Sequence, residues 1–216
     1  MYHVLILHFD DTYFYQSNLR KNSFAEIDLR FLRETKFMCS EHQLKFIEKR
    51  IPPVQSLISF IGKGEYHYIS FLFLKRIKEP FALVIIDNHL DMKASDGNFI
   101  RCDSWAYRAG FIKNLKQIFY INSSNIETNP SFMLPVYLSI DKDVIDRKYL
   151  KTRWTQGKIS PEQLFNFISK INSNTRIIGV DICGEPELDM EELRKSETIN
   201  LSIIRILKSV GIKKSA

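Results

Sequence analysis

Short apolar segments alternate with amphipathic segments along the chain. Apolar residues at every second position, as in Ile27, Leu29 and Phe31, are typical of a half-buried β-strand. Further predicted strands are Val4–Phe9, Ser56–Ile61, Phe81–Ile86, Gln117–Ile121, Val136–Ile140 and Arg176–Val180. Ser160-Pro161 followed by Gln163 predicts a helix start, because serine caps free backbone amides and proline suits the first turn. The predicted helices are Ser40–Arg50, Tyr66–Ile77, Ser104–Leu115, Ser160–Ile171 and Glu191–Val210.

Strands that alternate with helices predict an α/β fold, a three-layer sandwich in which a mostly parallel sheet carries helices on both faces. The continuously apolar Phe81–Ile86 is typical of a strand covered on both faces. No internal repeat, low-complexity tract or linker interrupts the pattern. Residues 1–216 are therefore predicted to form a single domain.

Composition narrows the class of protein without indicating a reaction. Of 216 residues, 44% are hydrophobic and 26% charged, which argues against disorder and coiled coil. The longest apolar run, Phe81–Ile86, is too short to cross a membrane, and the N-terminus does not resemble a signal peptide. Three cysteines without a pairing pattern favour a reducing, cytoplasmic location. The net charge of +6 is spread over small groups, which indicates solvated surfaces more than a nucleic-acid site.

Acidic and imidazole side chains follow several of the predicted strands directly. Asp87, His89 and Asp91 follow one strand at alternate positions, and their side chains point to one side of an extended segment. Asp141 and Asp143 repeat this spacing after a second strand, and a glycine-rich turn with His67 follows a third. In such sheets, functional residues gather beyond the carboxyl ends of the strands.

This donor set predicts a binuclear metal centre. Four clustered carboxylates repel one another unless cations neutralise them, and two divalent ions balance four carboxylates and two neutral histidines. Carboxylate and imidazole together suit Mn²⁺, with Fe²⁺, Zn²⁺ and Co²⁺ as competing ions. The predicted metal ligands are His67, Asp87, His89, Asp91, Asp141 and Asp143.

The order of these motifs resembles the arginase/agmatinase family, the ureohydrolases. The resemblance extends over more than half of the chain and includes the segment Ser104–Ala109. Its four principal segments are Gly62–His67, Asp87–Asp91, Ser139–Asp146 and Gly179–Glu185. The resemblance implies the arginase/deacetylase-like fold, two Mn²⁺ per chain, a homo-oligomer and a small-molecule or peptide guanidino substrate.

The resemblance also implies how the ligands are shared. One manganese is expected to take His67, Asp87, Asp91 and Asp141. The second is expected to take Asp87, His89, Asp141 and Asp143. A hydroxide bridging the two ions is then expected to attack the carbon of a guanidino, amidine or amide group, with Asp91 as the catalytic residue that aims it.

The substrate side of the site departs from the family pattern. Cys102 stands where arginases carry a proton-transferring histidine, so it is the predicted catalytic proton carrier, with His8 and Asp10 as alternatives. Glu185 lies one residue beyond the family's guanidinium-binding glutamate, and a one-residue bulge is expected to bring it into the site as a catalytic and substrate-binding residue. The other predicted substrate-binding residues are Asn98 and Asp181.

Several functions remain open at this point. The leading interpretation is a metal-dependent hydrolase of C–N bonds other than peptide bonds. A deacetylase-like amidohydrolase uses similar chemistry, and the missing histidine favours a non-catalytic, metal-dependent binding or regulatory protein. A nucleic-acid partner rests on net charge alone, and no membrane partner is expected.

Overall fold

A seven-stranded sheet, in which every neighbouring pair is parallel, forms the centre of the molecule. The computed structural model describes residues 2–94, 97–128 and 131–209. The strands of the sheet are β1 (His3–His8), β2 (Ala25–Asp28), β4 (Leu57–Phe60), β5 (Phe81–Ile86), β7 (Leu115–Ile121), β8 (Val136–Asp141) and β9 (Ile177–Cys183), and their order is β2-β1-β4-β9-β8-β5-β7. Two shorter strands, β3 (Met38–Ser40) and β6 (Phe99–Arg101), form a separate antiparallel pair.

Both faces of the sheet are covered, as the apolar runs predict. Along β5, Ala82, Val84 and Ile86 join one apolar cluster, whereas Phe81, Leu83 and Ile85 join the other. The helices are α1 (Ser17–Lys21), α2 (Glu41–Glu48), α3 (Ser70–Lys75), α4 (Trp105–Ala109), α5 (Pro161–Asn174) and α6 (Met190–Ser209). Helices α1, α5 and α6 cover the first face, and α2, α3 and α4 cover the second. The predicted three-layer sandwich is thus confirmed.

The predicted helices differ from the observed ones where local geometry intervenes. Ser160 caps α5 through a reciprocal capping box with Gln163, as predicted. The segment expected to form one helix over 66–77 instead begins with a 3₁₀ helix, Gly64–Ile69, which continues into α3. The helix expected over 104–115 is shorter than predicted and ends at Ala109, and Leu115 is the first residue of β7. Val210, the predicted end of the last helix, lies outside the described residues.

No helix among the described residues is long and apolar enough to cross a membrane.

Four neighbouring strands bring the predicted site segments to one edge of the sheet. In the order β4-β9-β8-β5, these strands run into Gly62, Gly184, Lys142 and Asp87 respectively. Because the strands are parallel, their carboxyl ends meet at the same edge, and residues distant in sequence become neighbours.

A buried ion pair ties this edge to helix α6. Lys142, directly after β8, pairs with Glu185, and both side chains have no exposed surface. The Lys142 ammonium group also donates to Ser196 and Asn200 of α6. Glu185 accepts further hydrogen bonds from Ser196, Asn200 and Gln16. Every charge in this network is therefore hydrogen-bonded, which is the condition under which buried charges are tolerated.

Replacing one member of the pair should cost far more than replacing both. In the metal-free protein, Lys142→Met leaves the Glu185 carboxylate buried without its cation, and the free energy of unfolding should fall by about 3–5 kcal/mol. The double variant Lys142→Met/Glu185→Leu removes both charges and should be the more stable of the two. Urea unfolding measures both values, and equal stabilities would contradict this account of the network.

Candidate metal centre

A cavity of about 840 Å³ opens at the carboxyl edge of the sheet. Five of the six predicted metal ligands line it, namely Asp87, His89, Asp91, Asp141 and Asp143. The sixth, His67, is buried directly beside them, and its Nδ1 atom lies 3.0 Å from Asp91 and 3.3 Å from Asp87. The structure therefore brings all six residues together, as the sequence predicts.

The ligand atoms of these residues converge in three overlapping groups. One group comprises His67, Asp87 and Asp91, and a second comprises Asp87, His89 and Asp143. Each contains three members of one predicted ligand set, with Asp87 shared between them. The third group joins His67 and Asp141 to Cys183, whose sulfur lies 3.1 Å from the Asp141 carboxylate. Cys183 is thus an additional candidate ligand that the metal-site analysis of the sequence did not include.

The hydrogen bonds behind His67 determine what the ring presents to the cavity. Ser139 donates to Asp181 at 2.8 Å, so its oxygen is free to accept the Nε2 proton of His67 at 3.0 Å. The opposite nitrogen, Nδ1, then directs a lone pair toward the carboxylates of Asp87, Asp91 and Asp141. Because a lone pair and carboxylate oxygens repel one another, this arrangement is stabilised by a positive charge between them, which either a proton on Nδ1 or a metal cation supplies.

The pKa values of the buried acids reflect the same crowding. Burial and the neighbouring Asp143 raise the pKa of Asp87 well above its usual value and that of Asp141 to about 7. Burial opposes protonation of His67, but the neighbouring Cys183 and hydrogen bonds with Asp87 and Asp91 outweigh it and raise the pKa of the ring. One oxygen of Asp87, Oδ2, is buried without a hydrogen-bond partner. Positive charge, from protons or from cations, therefore stabilises this cluster, and its oxygens and imidazoles are donors that suit divalent ions.

His89 and Asp143 form the outer side of the cluster. Nδ1 of His89 lies 2.7 Å from Asp143 and 3.8 Å from Asp87, and its side chain is 37% exposed. The second oxygen of Asp143 accepts a hydrogen bond from the backbone amide of Asn88. The two residues are thus held together at the floor of the cavity, where solvent and ligands have access.

Asp91 is held in an uncommon backbone conformation at the cavity wall. Its φ of 50° lies in the left-handed region, which non-glycine residues seldom adopt. The indole nitrogen of Trp105 donates to its carboxylate at 2.8 Å, and Asp91 accepts a backbone bond from Ala106. These contacts fix a carboxylate between the buried His67 and the open cavity.

Cys102 also lines the cavity, in agreement with its predicted position. Burial, with a smaller contribution from Asp91, raises the pKa of its thiol to about 12. The thiol is therefore protonated at neutral pH. His8 and Asp10, the alternative proton carriers, do not line this cavity, and His8 instead contacts Glu26 at 2.8 Å.

The three other predicted substrate residues lie outside the cavity. The expected bulge does not bring Glu185 into it, since this side chain turns toward Lys142 in the buried network. Gly184 has a φ of 76°, and any side chain there would collide with Asp141, so the chain has no room for a carboxylate at that point. Asp181 is buried behind His67, and the exposed Asn98 lies away from the cavity lining.

The sequence did not indicate that two aromatic residues would form part of the cavity wall. Phe37 and Trp154 lie with their ring centroids 6.0 Å apart, and Trp154 also lies 6.0 Å from His89. Trp154 packs over Gly64, where an added Cβ would come within 2.8 Å of the indole nitrogen. Both residues belong to connecting segments, whose position is not encoded in a repeating pattern.

Known proteins resemble this chain in fold even where their sequence identity to it is low. No protein-family model matches the chain. An uncharacterized protein of Thermotoga maritima is 36% identical over 222 residues, which cover 95% of this chain and 89% of that protein. The agmatine ureohydrolase of Thermoplasma volcanium matches with a TM-score of 0.71 and 14% identity, over 100% of this chain and 92% of that one. Formimidoylglutamase from Bacillus subtilis matches with a TM-score of 0.66 and 12% identity, over 99% and 87%. The chain thus belongs to one family with the Thermotoga maritima protein and has the arginase/agmatinase fold.

Proposed function

We propose that the protein is a metal-dependent hydrolase of C–N bonds in amidine, guanidino or amide compounds. The observation that carries this proposal is the convergence of two histidines and four carboxylates at the floor of one open cavity. The solved structures with the same fold include an agmatine ureohydrolase and a formimidoylglutamase, whose names describe reactions of this class.

The ligands are assigned to two divalent cations, with Mn²⁺ as the first candidate. His67, Asp87, Asp91 and Asp141 would hold one ion, and Asp87, His89, Asp141 and Asp143 the other. Two such ions supply Lewis-acid activation of water and of the scissile group near neutral pH. Cys183 is close enough to Asp141 and His67 to support the first site.

The protein's own residues have separate tasks in this proposal. Asp91, fixed by Trp105, orients the attacking water and accepts its proton. Ser139 and Asp181 hold the tautomer of His67 that directs a lone pair toward the cations. Cys102 is assigned the transfer of a proton to the leaving nitrogen on the basis of its position, because it lines the same cavity as Asp91.

A deacetylase-like amidohydrolase is the second candidate, and one observation favours it. Among the described residues that line the cavity, Asp103 is the carboxylate outside the proposed ligand set, and it already pairs with Lys93 and Arg101. A guanidinium group has only donors to offer and pairs best with a free carboxylate, whereas an amide does not need one. Release of urea or of a carboxylic acid from matched substrates separates the two reactions.

Loss of one carboxylate in the cluster should remove metal and activity together. Asp141→Asn should lower the Mn²⁺ content from two ions per chain to one or fewer, and turnover should fall by about 10³-fold. Elemental analysis after incubation with Mn²⁺ and desalting measures the first effect. Asp146→Asn is the matched control, because Asp146 belongs to the same motif but does not line the cavity. Two tightly bound ions in Asp141→Asn would rule out the proposed centre.

The hydrogen bond between Ser139 and His67 should increase the affinity of the site for Mn²⁺. Ser139→Ala removes the acceptor of the His67 Nε2 proton, and the Kd for Mn²⁺ should rise by about 10–100-fold. Ser59→Ala is the control, since Ser59 is equally buried on β4, which is separated from the strand of Ser139 by β9, but its hydroxyl has no hydrogen-bond partner. Isothermal titration with Mn²⁺ gives both values. Equal affinities in the two variants would show that the serine does not orient the ligand.

The role of Cys102 should appear in the rate alone. Cys102→Ala should lower kcat by about 10²-fold, because general acid assistance to the leaving group is lost. Its Mn²⁺ content should stay at the wild-type level. Cys39→Ala, at a buried cysteine outside the cavity, should leave both quantities unchanged. An unchanged kcat in Cys102→Ala would assign the proton to another donor.

A further inference from the structure

Apolar and aromatic side chains form much of the wall above the acidic floor of the cavity, namely Phe37, Met38, Leu90, Met92 and Trp154. The same wall also carries polar and charged side chains, those of Asn88, Lys93, Arg101, Asp103 and Thr155. The volume of the cavity, about 840 Å³, falls in the upper part of the range of about 300–1,000 Å³ found for pockets that bury drug-sized molecules. The space is therefore much larger than the reacting group of a C–N hydrolase requires.

Three of these wall residues leave a large share of their surface exposed. Met38 is 40% exposed, Leu90 49% and Met92 38%. A single exposed apolar side chain is common on protein surfaces, but these three lie around the same opening, which is how apolar ligand sites are recognised. Methionine side chains also adapt easily to apolar ligands of different shape.

Phe37 is held at the wall by its backbone. It has a φ of 69°, in the left-handed region that bulky side chains rarely occupy. Two backbone hydrogen bonds maintain this conformation, from the Phe37 amide to Glu65 and from the Cys102 amide to Phe37. Arg153 and Lys36 lie over its ring and pair with the same Glu65. The aromatic wall is thus built as a fixed surface, and such strain is a sign of function.

The cations near the opening are already paired. Lys93 and Arg101 both bind Asp103, at 3.0 Å each. They consequently neutralise a carboxylate of the protein, and recognition of a charged substrate tail would have to break these contacts. Apart from the polar Asn88 and Thr155, the wall residues that are not held in these ion pairs or in the ligand cluster are mainly apolar and aromatic.

We propose that the substrate carries a bulky apolar substituent, alkyl or aromatic, on the nitrogen of the scissile group. Its amidine, guanidino or amide carbon would lie at the acidic floor, and the substituent would lie against Phe37, Trp154 and the two methionines. The inference rests on the proposed hydrolase function and specifies its substrate class. It distinguishes this cavity from one built for a small, fully charged amino-acid derivative.

A series of n-alkylguanidines, from methyl to octyl, tests the inference by binding as well as by turnover. Burial of each methylene should tighten binding by about fourfold, until the cavity is filled. Isothermal titration of Mn²⁺-loaded and metal-free protein measures the slope, and agmatine serves as the polar comparison. The octyl compound should bind at least about 100-fold more tightly than agmatine.

Paired variants identify the surface responsible. Met38→Gln and Met92→Gln keep the side-chain length but introduce an amide, and each should reduce the slope of the alkyl series. Met190→Gln is the control, because Met190 is 48% exposed but lies outside the cavity. A slope that stays the same in both cavity variants would overturn the inference.

The metal content of the same samples separates the two proposals. Protein that binds two Mn²⁺ ions but shows no dependence on chain length, or that prefers agmatine, overturns the apolar substrate class and leaves the hydrolase proposal standing. Protein that binds neither Mn²⁺ nor Fe²⁺, Zn²⁺ or Co²⁺ in the same assay overturns the hydrolase proposal and the substrate class with it. Two bound ions together with a steep alkyl series support both.

Discussion

Buried acceptors that face one another at the carboxyl edge of the sheet set the main constraint on this structure. The lone pair of His67 and the oxygens of Asp87, Asp91 and Asp141 point into the same small space. Without a cation the cluster must take up protons, which is why burial and mutual repulsion raise the pKa of Asp87 and Asp141. A ligand that neutralises the cluster binds the folded chain and not the unfolded one, so metal binding and stability are coupled.

The surroundings of the cluster follow from this constraint. The strand ends at Asp141, and a 3₁₀ turn over Lys142–Val144 follows it. From this turn, Lys142 enters the buried network with Glu185 and α6, whereas Asp141 and Asp143 line the cavity. Asp181 and Ser139 support His67 from beneath in the same way. Two sets of hydrogen-bonded polar side chains therefore lie behind the acidic edge of the sheet. Through them, the positions of the proposed metal ligands depend on how the helices pack against the sheet.

The sequence predicted most of what depends on short-range periodicity. Phe81–Ile86 forms a strand with the predicted bounds, and the convergence of Asp87 with Asp141 follows from parallel strands. The role of Glu185 was beyond such reasoning, because it depends on contacts with Lys142 and with helix α6, which are distant in the sequence. The antiparallel pair of β3 and β6 was also missed, since each strand has three residues.

The metal-ligand cluster could be predicted from the sequence, whereas the aromatic and apolar cavity wall could not. Asp87, Asp141 and Asp143 lie at or directly after the ends of strands of the central sheet, where periodicity and topology fix their positions, and in the proposed function this part of the site carries the chemistry. Phe37, Met92 and Trp154 sit on connecting segments, where backbone strain and long-range packing decide the geometry. In the proposed function, substrate selection therefore depends on the part of the chain that the common fold constrains least. A shared fold does not by itself identify a reaction, so the proposed chemistry has to be argued from the ligand cluster and the proposed substrate class from the walls of this particular cavity.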